Sequence, residues 1–217
     1  MKTFERGSVR CTCDHAFHDT RLIAITGGPG GGKTAVLEMA LRAFCQHVGA
    51  LPEAAGVLFG GGFPRIGLPA ALRSTQRAIF HVQREQEAIV VATGKVAVAL
   101  CDRGTVDGAA YWPEPLESYW QALDTRAEDE LKRYAAVIHM RTPGANRGYN
   151  HDNALRIESA EQARRVDDRI MEAWAGHPNR HEITSEVDFV DKAASALEAI
   201  RAELPPCCQH HRLPHEH

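Results

Sequence analysis

Strand-like and helical segments alternate along this chain as β-α-β-α-β-α-β-α-β-α, which predicts an α/β fold built on a five-stranded parallel sheet with helices on both faces. Two further observations support that class. The apolar runs Val96 to Asp102 and Ala135 to Met140 are continuous rather than alternating, as in strands covered on both faces. In addition, the residues able to do chemistry fall at the C-terminal ends of the expected strands, where such sheets collect ligands. The length of 217 residues suits one domain, and an apolar content of 44% is enough for a sizeable core.

In chain order, residues 1–20 are polar and read as an irregular arm, and Leu22 to Thr26 as the first buried strand. Thr34 to Val48 carries Val36, Leu37, Met39, Ala40, Leu41, Ala43 and Phe44, a broad apolar surface expected of a helix packed on a sheet. Ala50 to Ala55 suggests a short strand ending in a turn, and Gly60-Gly61-Gly62 a loop. From Pro69 to Thr93 the pattern is helical, with Leu72, Ile79, Val82 and Ile89 near one face. A strand at 96–102, a loop at 111–115, a helix over 116–134 and a strand at 135–140 follow. Next come a polar loop at 141–153, a helix from Glu158 to Trp174 and a brief strand at His181 to Thr184. Ser185 with Asp188 resembles a capping box opening a last helix to Glu203, which Pro205-Pro206 terminates.

Between the first strand and first helix stands Gly27-Gly28-Pro29-Gly30-Gly31-Gly32-Lys33-Thr34, which satisfies G-x-x-x-x-G-K-[ST], the phosphate-binding P-loop. Glycine lets the loop backbone approach phosphate oxygens, and the helix N-terminus adds its positive dipole end. The expected cofactor-binding residues are Gly28, Pro29, Gly30, Gly31, Gly32, Lys33, Thr34 and Ala35. Lys33 is placed on the β- and γ-phosphates of ATP and the Thr34 hydroxyl on Mg²⁺. The expected fold thereby becomes the P-loop NTPase three-layer sandwich, with strand order 2-3-1-4-5.

Asp102 closes the third strand, where P-loop proteins hold Mg²⁺ with a carboxylate; the alternative is a cap on the next turn. Beside it stands Arg103, where hydrolytic ATPases usually carry a glutamate. Asp107 stands either at the acceptor or as a helix N-cap. Arg141, Arg147 and Arg156 lie in or beside the loop after the fourth strand, with Arg147 and Arg156 the expected arginines closing on the triphosphate. A guanine-specific GTPase is disfavoured because His139-Met140-Arg141-Thr142 stands where an N-K-x-D motif belongs.

The formal net charge of −3 offers no general attraction to nucleic acid or anionic membrane, so neither partner is expected. Met1 to Arg10 contains no apolar run typical of a signal peptide, and a cytoplasmic location is the default expectation. Six cysteines and twelve histidines gather mostly near the termini. Cys11, Cys13, His15 and His18, with Cys207, Cys208 and the histidines after them, offer zinc-ligand types. C-x-C and C-C miss the usual structural-zinc spacing, however, so solvated tails are expected, the C-terminal one spanning 205–217. Cys45 and Cys101 read as buried thiols.

Gly-Gly-Pro-Gly-x-Gly-Lys-Thr, Pro52-Glu53-Ala54-Ala55, Asp102-Arg103-Gly104-x-x-Asp107 and Arg156-x-Glu158 together resemble the kinase-like AAA-domain family of P-loop proteins. That family includes the ribosylnicotinamide kinase domain of bacterial NAD regulators and is related to deoxynucleoside and thymidylate kinases. The resemblance spans residues 21–204 as one nucleoside-triphosphate-binding domain. It implies γ-phosphoryl transfer from Mg-ATP to a small acceptor such as a nucleoside, nucleotide or nicotinamide riboside, with Arg103 holding a phosphate or orienting the acceptor. Deoxynucleoside kinases carry a similar Pro-Glu step, which would make Glu53 the base on the acceptor hydroxyl; the other reading is a surface glutamate in a turn. The family also leaves open a nucleotide-binding switch with little turnover.

Overall fold

The computed structural model describes residues 4–13, 15–143, 160–184 and 188–209. Among them, six strands form one sheet: β1 (Glu5–Arg6), β2 (Arg21–Thr26), β3 (Val48–Leu51), β4 (Val98–Asp102), β5 (Tyr134–Met140) and β6 (Arg180–Ile183). The spatial order is β1-β3-β4-β2-β5-β6. Strands β2 to β6 are mutually parallel, so the five expected strands stand in the expected 2-3-1-4-5 order.

The sixth strand corrects the expectation of an irregular arm. β1 pairs antiparallel with β3, Glu5 opposite Ala50 and Arg6 opposite Gly49. Beyond it, Gly7 N donates to Val48 O at 2.7 Å and Gln46 N to Val9 O at 2.9 Å. The edge of β3 recruits the arm through backbone groups that would otherwise lack partners, a pairing that leaves no side-chain periodicity to detect. Gly7 is required there, because a Cβ would stand 2.1 Å from Cys45 O.

The helices are α1 (Lys33–Ala43), α2 (Ala54–Gly60), α3 (Pro69–Thr93), α4 (Leu116–Ala122), α5 (Ala127–Leu131), α6 (Ala160–Ala173) and α7 (Phe189–Ala202). Ile23, Ile25, Leu100 and Ile138 face α1 and α7. Leu22, Ala24, Ala99 and Val137 face the opposite layer, which includes Phe80, Tyr119, Ile170 and Trp174. This alternation along each strand makes the three layers. No helix among the described residues is long and apolar enough to cross a membrane.

Several boundaries differ from expectation. α1 stops at Ala43, and the buried Phe44 and Cys45 belong to a turn leading into β3. Their apolar character serves the sheet edge and not a longer helix. Pro52-Glu53 leads directly into α2, which runs on to Gly60, so Ala54-Ala55 are helical. The 116–134 helix is broken around Asp124, whose φ is +51°, and Thr125 Oγ1 donates to the buried Glu130 at 2.9 Å. α7 starts on Asp188, whose side chain accepts from Asp191 N, while Ser185 lies outside the described residues.

α3 has the expected span and a different inner face. Its buried residues are Thr75, Gln76, Phe80, Gln83, Glu87 and Val90, whereas Ile89 is exposed. Two members of this polar stripe, Gln83 and Glu87, are satisfied internally. Glu87 accepts from Gln83 Nε2 at 2.8 Å and Tyr134 OH at 2.6 Å, and it pairs with Arg133. Tyr134 OH also accepts from Thr105 N at 2.8 Å, which fastens the loop after β4 to this network.

Candidate active site at the C-terminal ends of the strands

The loop from Gly27 to Gly32 joins β2 to α1 and turns through left-handed residues at Gly27, Gly30 and Gly32, with φ of +125°, +84° and +93°. Close approach explains two more glycines. A Cβ on Gly28 would meet Thr142 Oγ1 at 2.5 Å, and one on Gly31 would meet Met140 O at 2.4 Å. No acidic side chain lies in the first turn of α1, and its N-cap Gly32 provides no side-chain bond. The positive end of the helix dipole and its free N–H groups therefore face the loop uncompensated, an anion-binding arrangement.

Lys33 is buried and donates from Nζ to Gly27 O at 2.8 Å and Gly28 O at 2.9 Å. Burial pushes its pKa down to about 8, with the Arg103 charge adding to the effect and Asp102, Glu53 and Asp107 opposing it. Thr34 is exposed at the start of α1, and Asp102 ends β4 with its Cα paired to Ile25. These two hard oxygen donors fit a Mg²⁺ ion better than a softer metal.

Arg103 follows β4 in a left-handed conformation, φ +73°, that is uncommon outside glycine. Its Nε donates to Glu53 Oε1 at 2.7 Å, and its Nη1 reaches Gly27 O and Asp107 Oδ1, each at 3.2 Å. The guanidinium thus ties the P-loop to the segment after β3. Burial alone would raise the Glu53 carboxyl, but Arg103 first, then Lys33 and Arg65, hold it below its ordinary value. Glu53 is an ionised, half-buried carboxylate.

Asp107 faces inward. Its oxygens accept from Thr26 Oγ1, from Gly104 N at 3.0 Å and from Trp174 Nε1 at 3.0 Å, besides Arg103. The expected N-cap role is corrected: Gly104 is the N-cap of the short 3₁₀ helix Thr105–Tyr111, and Asp107 in its first turn accepts from the N–H of that cap. Arg141 is engaged by Asp167 at 3.2 Å and Asp168 at 2.9 Å. Arg147 and Arg156 lie outside the described residues, as do Ser185 to Val187.

Sequence reasoning missed three residues that hold the loop in place. The buried Asp167 of α6 accepts from Gly28 N at 2.7 Å, from Thr142 N at 3.3 Å and makes a 2.9 Å contact with His139 Nε2. Thr142 Oγ1 donates to Pro29 O at 3.2 Å. Lys192 of α7 donates to Gly31 O at 2.8 Å and Arg141 O at 2.6 Å. Burial lowers its pKa to about 8, against the attraction of Asp167. These side chains belong to segments rich in charge, where no local pattern separates an inward anchor from a solvated neighbour.

The chain matches the AAA domain family over residues 22–192. Among solved structures it resembles NadR protein in complex with NR, with a TM-score of 0.66 and 14% identity, covering 86% of this chain and 52% of that one. It also resembles NadR protein in complex with NAD and AMP-PNP, with a TM-score of 0.58 and 12% identity, covering 85% of this chain and 49% of that one. At such identities the likeness is one of fold, and this chain spans about half the length of those proteins. No curated protein matches it by sequence.

Proposed function

We propose, from the premise that this chain belongs to the AAA domain family of kinase-like P-loop proteins, that it is an ATP-dependent phosphotransferase acting on a small hydroxyl- or phosphate-bearing acceptor. The observation that carries this reading is the 2.7 Å Arg103–Glu53 pair beside Lys33, which joins a phosphate-binding loop to an ionised carboxylate across the strand ends. A hydrolase would be expected to place an activating glutamate beside Asp102; here that position is a cation.

In the proposed reaction the loop amides, the α1 N-terminus and Lys33 hold the triphosphate. Charge spreading over the transferring phosphoryl group is offset by Lys33, with Arg147 and Arg156 assigned to close on it. Glu53 accepts the hydrogen bond of the attacking hydroxyl and orients it, while Arg103 fixes the carboxylate. The acceptor oxygen bonds to the γ-phosphorus as the bond to the leaving ADP oxygen breaks, and the hydroxyl proton passes to Glu53 or solvent. Thr34 and Asp102 are assigned to Mg²⁺, which when bound supplies positive charge at the β- and γ-phosphates. The NR and AMP-PNP bound by the NadR proteins make nucleosides, including nicotinamide riboside, the first acceptors to try.

A screen of nucleosides, nucleotides and nicotinamide riboside with Mg-ATP tests the proposal. One acceptor should stimulate ADP release, with the activity abolished in Lys33→Ala and strongly reduced in Asp102→Ala. Tight nucleotide binding with no acceptor-dependent ADP release would replace it with a nucleotide-operated switch.

A further inference from the structure

At the opposite end of the sheet from the P-loop, three distant segments bring their thiols and imidazoles together. The arm supplies Cys11 and Cys13, the turn between α1 and β3 supplies Cys45 and His47, and the segment after α7 supplies Cys207 and Cys208. Five of the six cysteines thus converge, and none is in a disulfide; Cys101 stands apart within β4. The expectation of solvated tails fails here, since Cys11, Cys45, His47 and Cys208 are all buried.

The spacings are those of a ligand set. Cys11 Sγ lies 3.5 Å from Cys13 Sγ and 3.8 Å from Cys208 Sγ. His47 Nδ1 lies 3.4 Å from Cys13 Sγ and 3.5 Å from Cys208 Sγ. Around a tetrahedral zinc with bonds of about 2.3 Å to sulfur and about 2.0–2.1 Å to nitrogen, ligand atoms stand about 3.8 Å apart for S···S and about 3.5 Å for S···N. The ligand atoms of Cys11, Cys45, His47 and Cys208 also lie within 4.8 Å of one another, as do those of Cys13, His18, His47 and Cys208. An independent sign is His18, whose ring lies 4.4 Å from that of His47 and whose buried Nε2 has no hydrogen-bond partner among the described residues.

We propose that Cys11, Cys13, His47 and Cys208 bind a structural zinc ion that fastens both ends of the chain to the α1–β3 turn, with Cys45, Cys207 and His18 around it. Three thiolates and one imidazole are a closed structural set, with no position left for substrate. Thiol-rich donors exclude magnesium and calcium. The four ligands come from three segments, whose Cys/His pairs are C-x-C, C-x-H and C-C, and this explains why no local zinc spacing betrays them. The ion would complete what the backbone begins, since Val9 and Gln46 already bond across the same junction. The proposal is independent of what the P-loop does.

The test is metal analysis of the full chain purified under reductant without an affinity tag. The expected result is about one zinc per chain, retained by Cys101→Ser and lost from His47→Ala and from Cys208→Ser. Because those variants can fail to fold, the wild-type protein is also loaded with Co²⁺. Intense tetrahedral d–d bands with thiolate charge transfer are expected, together with a fall in Tm on chelation. Reduced, folded protein that takes up less than about a tenth of an equivalent of zinc, from supplemented culture and on reconstitution alike, overturns the proposal. So does an iron–sulfur chromophore, or a mass deficit showing a disulfide that resists reductant in the folded chain.

Discussion

Replacing Asp167 by alanine tests whether the phosphate-binding loop is held from below by α6. The carboxylate is about 1% exposed and receives Gly28 N at 2.7 Å, Thr142 N at 3.3 Å and Arg141 Nη1 at 3.2 Å, with His139 Nε2 at 2.9 Å. Its removal strands two backbone N–H groups and takes one partner from the partly exposed Arg141, which keeps Asp168. Leaving a buried donor without a partner costs about 1–3 kcal/mol. For two such donors in a chain of this length, at about 2–4 °C per kcal/mol, the Tm should fall by about 4–24 °C. Asp168→Ala is the internal control. That neighbour is 66% exposed and, among the described residues, bonds Arg141 alone, so its loss should move stability by less than about 0.5 kcal/mol. Calorimetric unfolding of both variants decides the matter, and equal Tm values for Asp167→Ala and Asp168→Ala would refute the anchoring role. The pH dependence gives a second handle. Burial opposes ionisation of Asp167, but the contacts of His139, Gly28 and Arg141 outweigh it and depress its pKa. The stabilisation is therefore complete above the ordinary carboxylate pKa of about 4 and lost as pH falls through the lower folded-state value. Acid unfolding should consequently begin at higher pH in Asp167→Asn than in wild type.

Two further outcomes follow from the titrating groups of the site. Lys33 has a pKa of about 8, and a triphosphate beside it would restore the charged form. ATP binding at pH 8 should thus take up about half a proton, and near none at pH 6.5, read from calorimetry in buffers of different ionisation enthalpy. Lack of buffer dependence at pH 8 would remove Lys33 from the phosphate site. Glu53→Gln should lower kcat about 10²-fold or more while changing ATP affinity little, since the carboxylate serves the acceptor. An unchanged kcat would leave Glu53 as the structural partner of Arg103.

The parts of this site that were legible in the sequence are those encoded over a few consecutive residues. Gly27 to Thr34 announces its own conformation, and apolar runs closed by Asp102 and Met140 mark strand ends. Asp167, Thr142 and Lys192 carry no such signature. Each acts through one tertiary contact to a loop far away in sequence, and an aspartate beside Asp168 looks solvated until α6 is docked. α3 misled for the converse reason. Its apolar residues suggested an inner face, but Gln83 is buried donating to Glu87, and Glu87 is buried because Arg133 and Tyr134 also satisfy it, while Ile89 is left outside. Hydrophobic periodicity cannot register a polar group whose partner lies on another element.

Helix α1 links the two ends of the molecule, with Gly32 and Lys33 at its start and Cys45 and His47 just beyond its finish. Its eleven residues separate the ends by about 16 Å. The anchors of the two ends do not overlap. Asp167, Thr142 and Lys192 hold the P-loop from α6, the end of β5 and α7. The Cys/His junction engages only the arm, the turn after α1 and the segment after α7. Coupling through packed helices requires an element with two arrangements that both sites bias. α1 is buried along Val36, Leu37 and Ala40 against strands that are themselves covered on both faces. The proposed zinc junction would staple the arm and the segment after α7 to the α1–β3 turn, while the phosphate loop is held by side chains of α6, α7 and the end of β5.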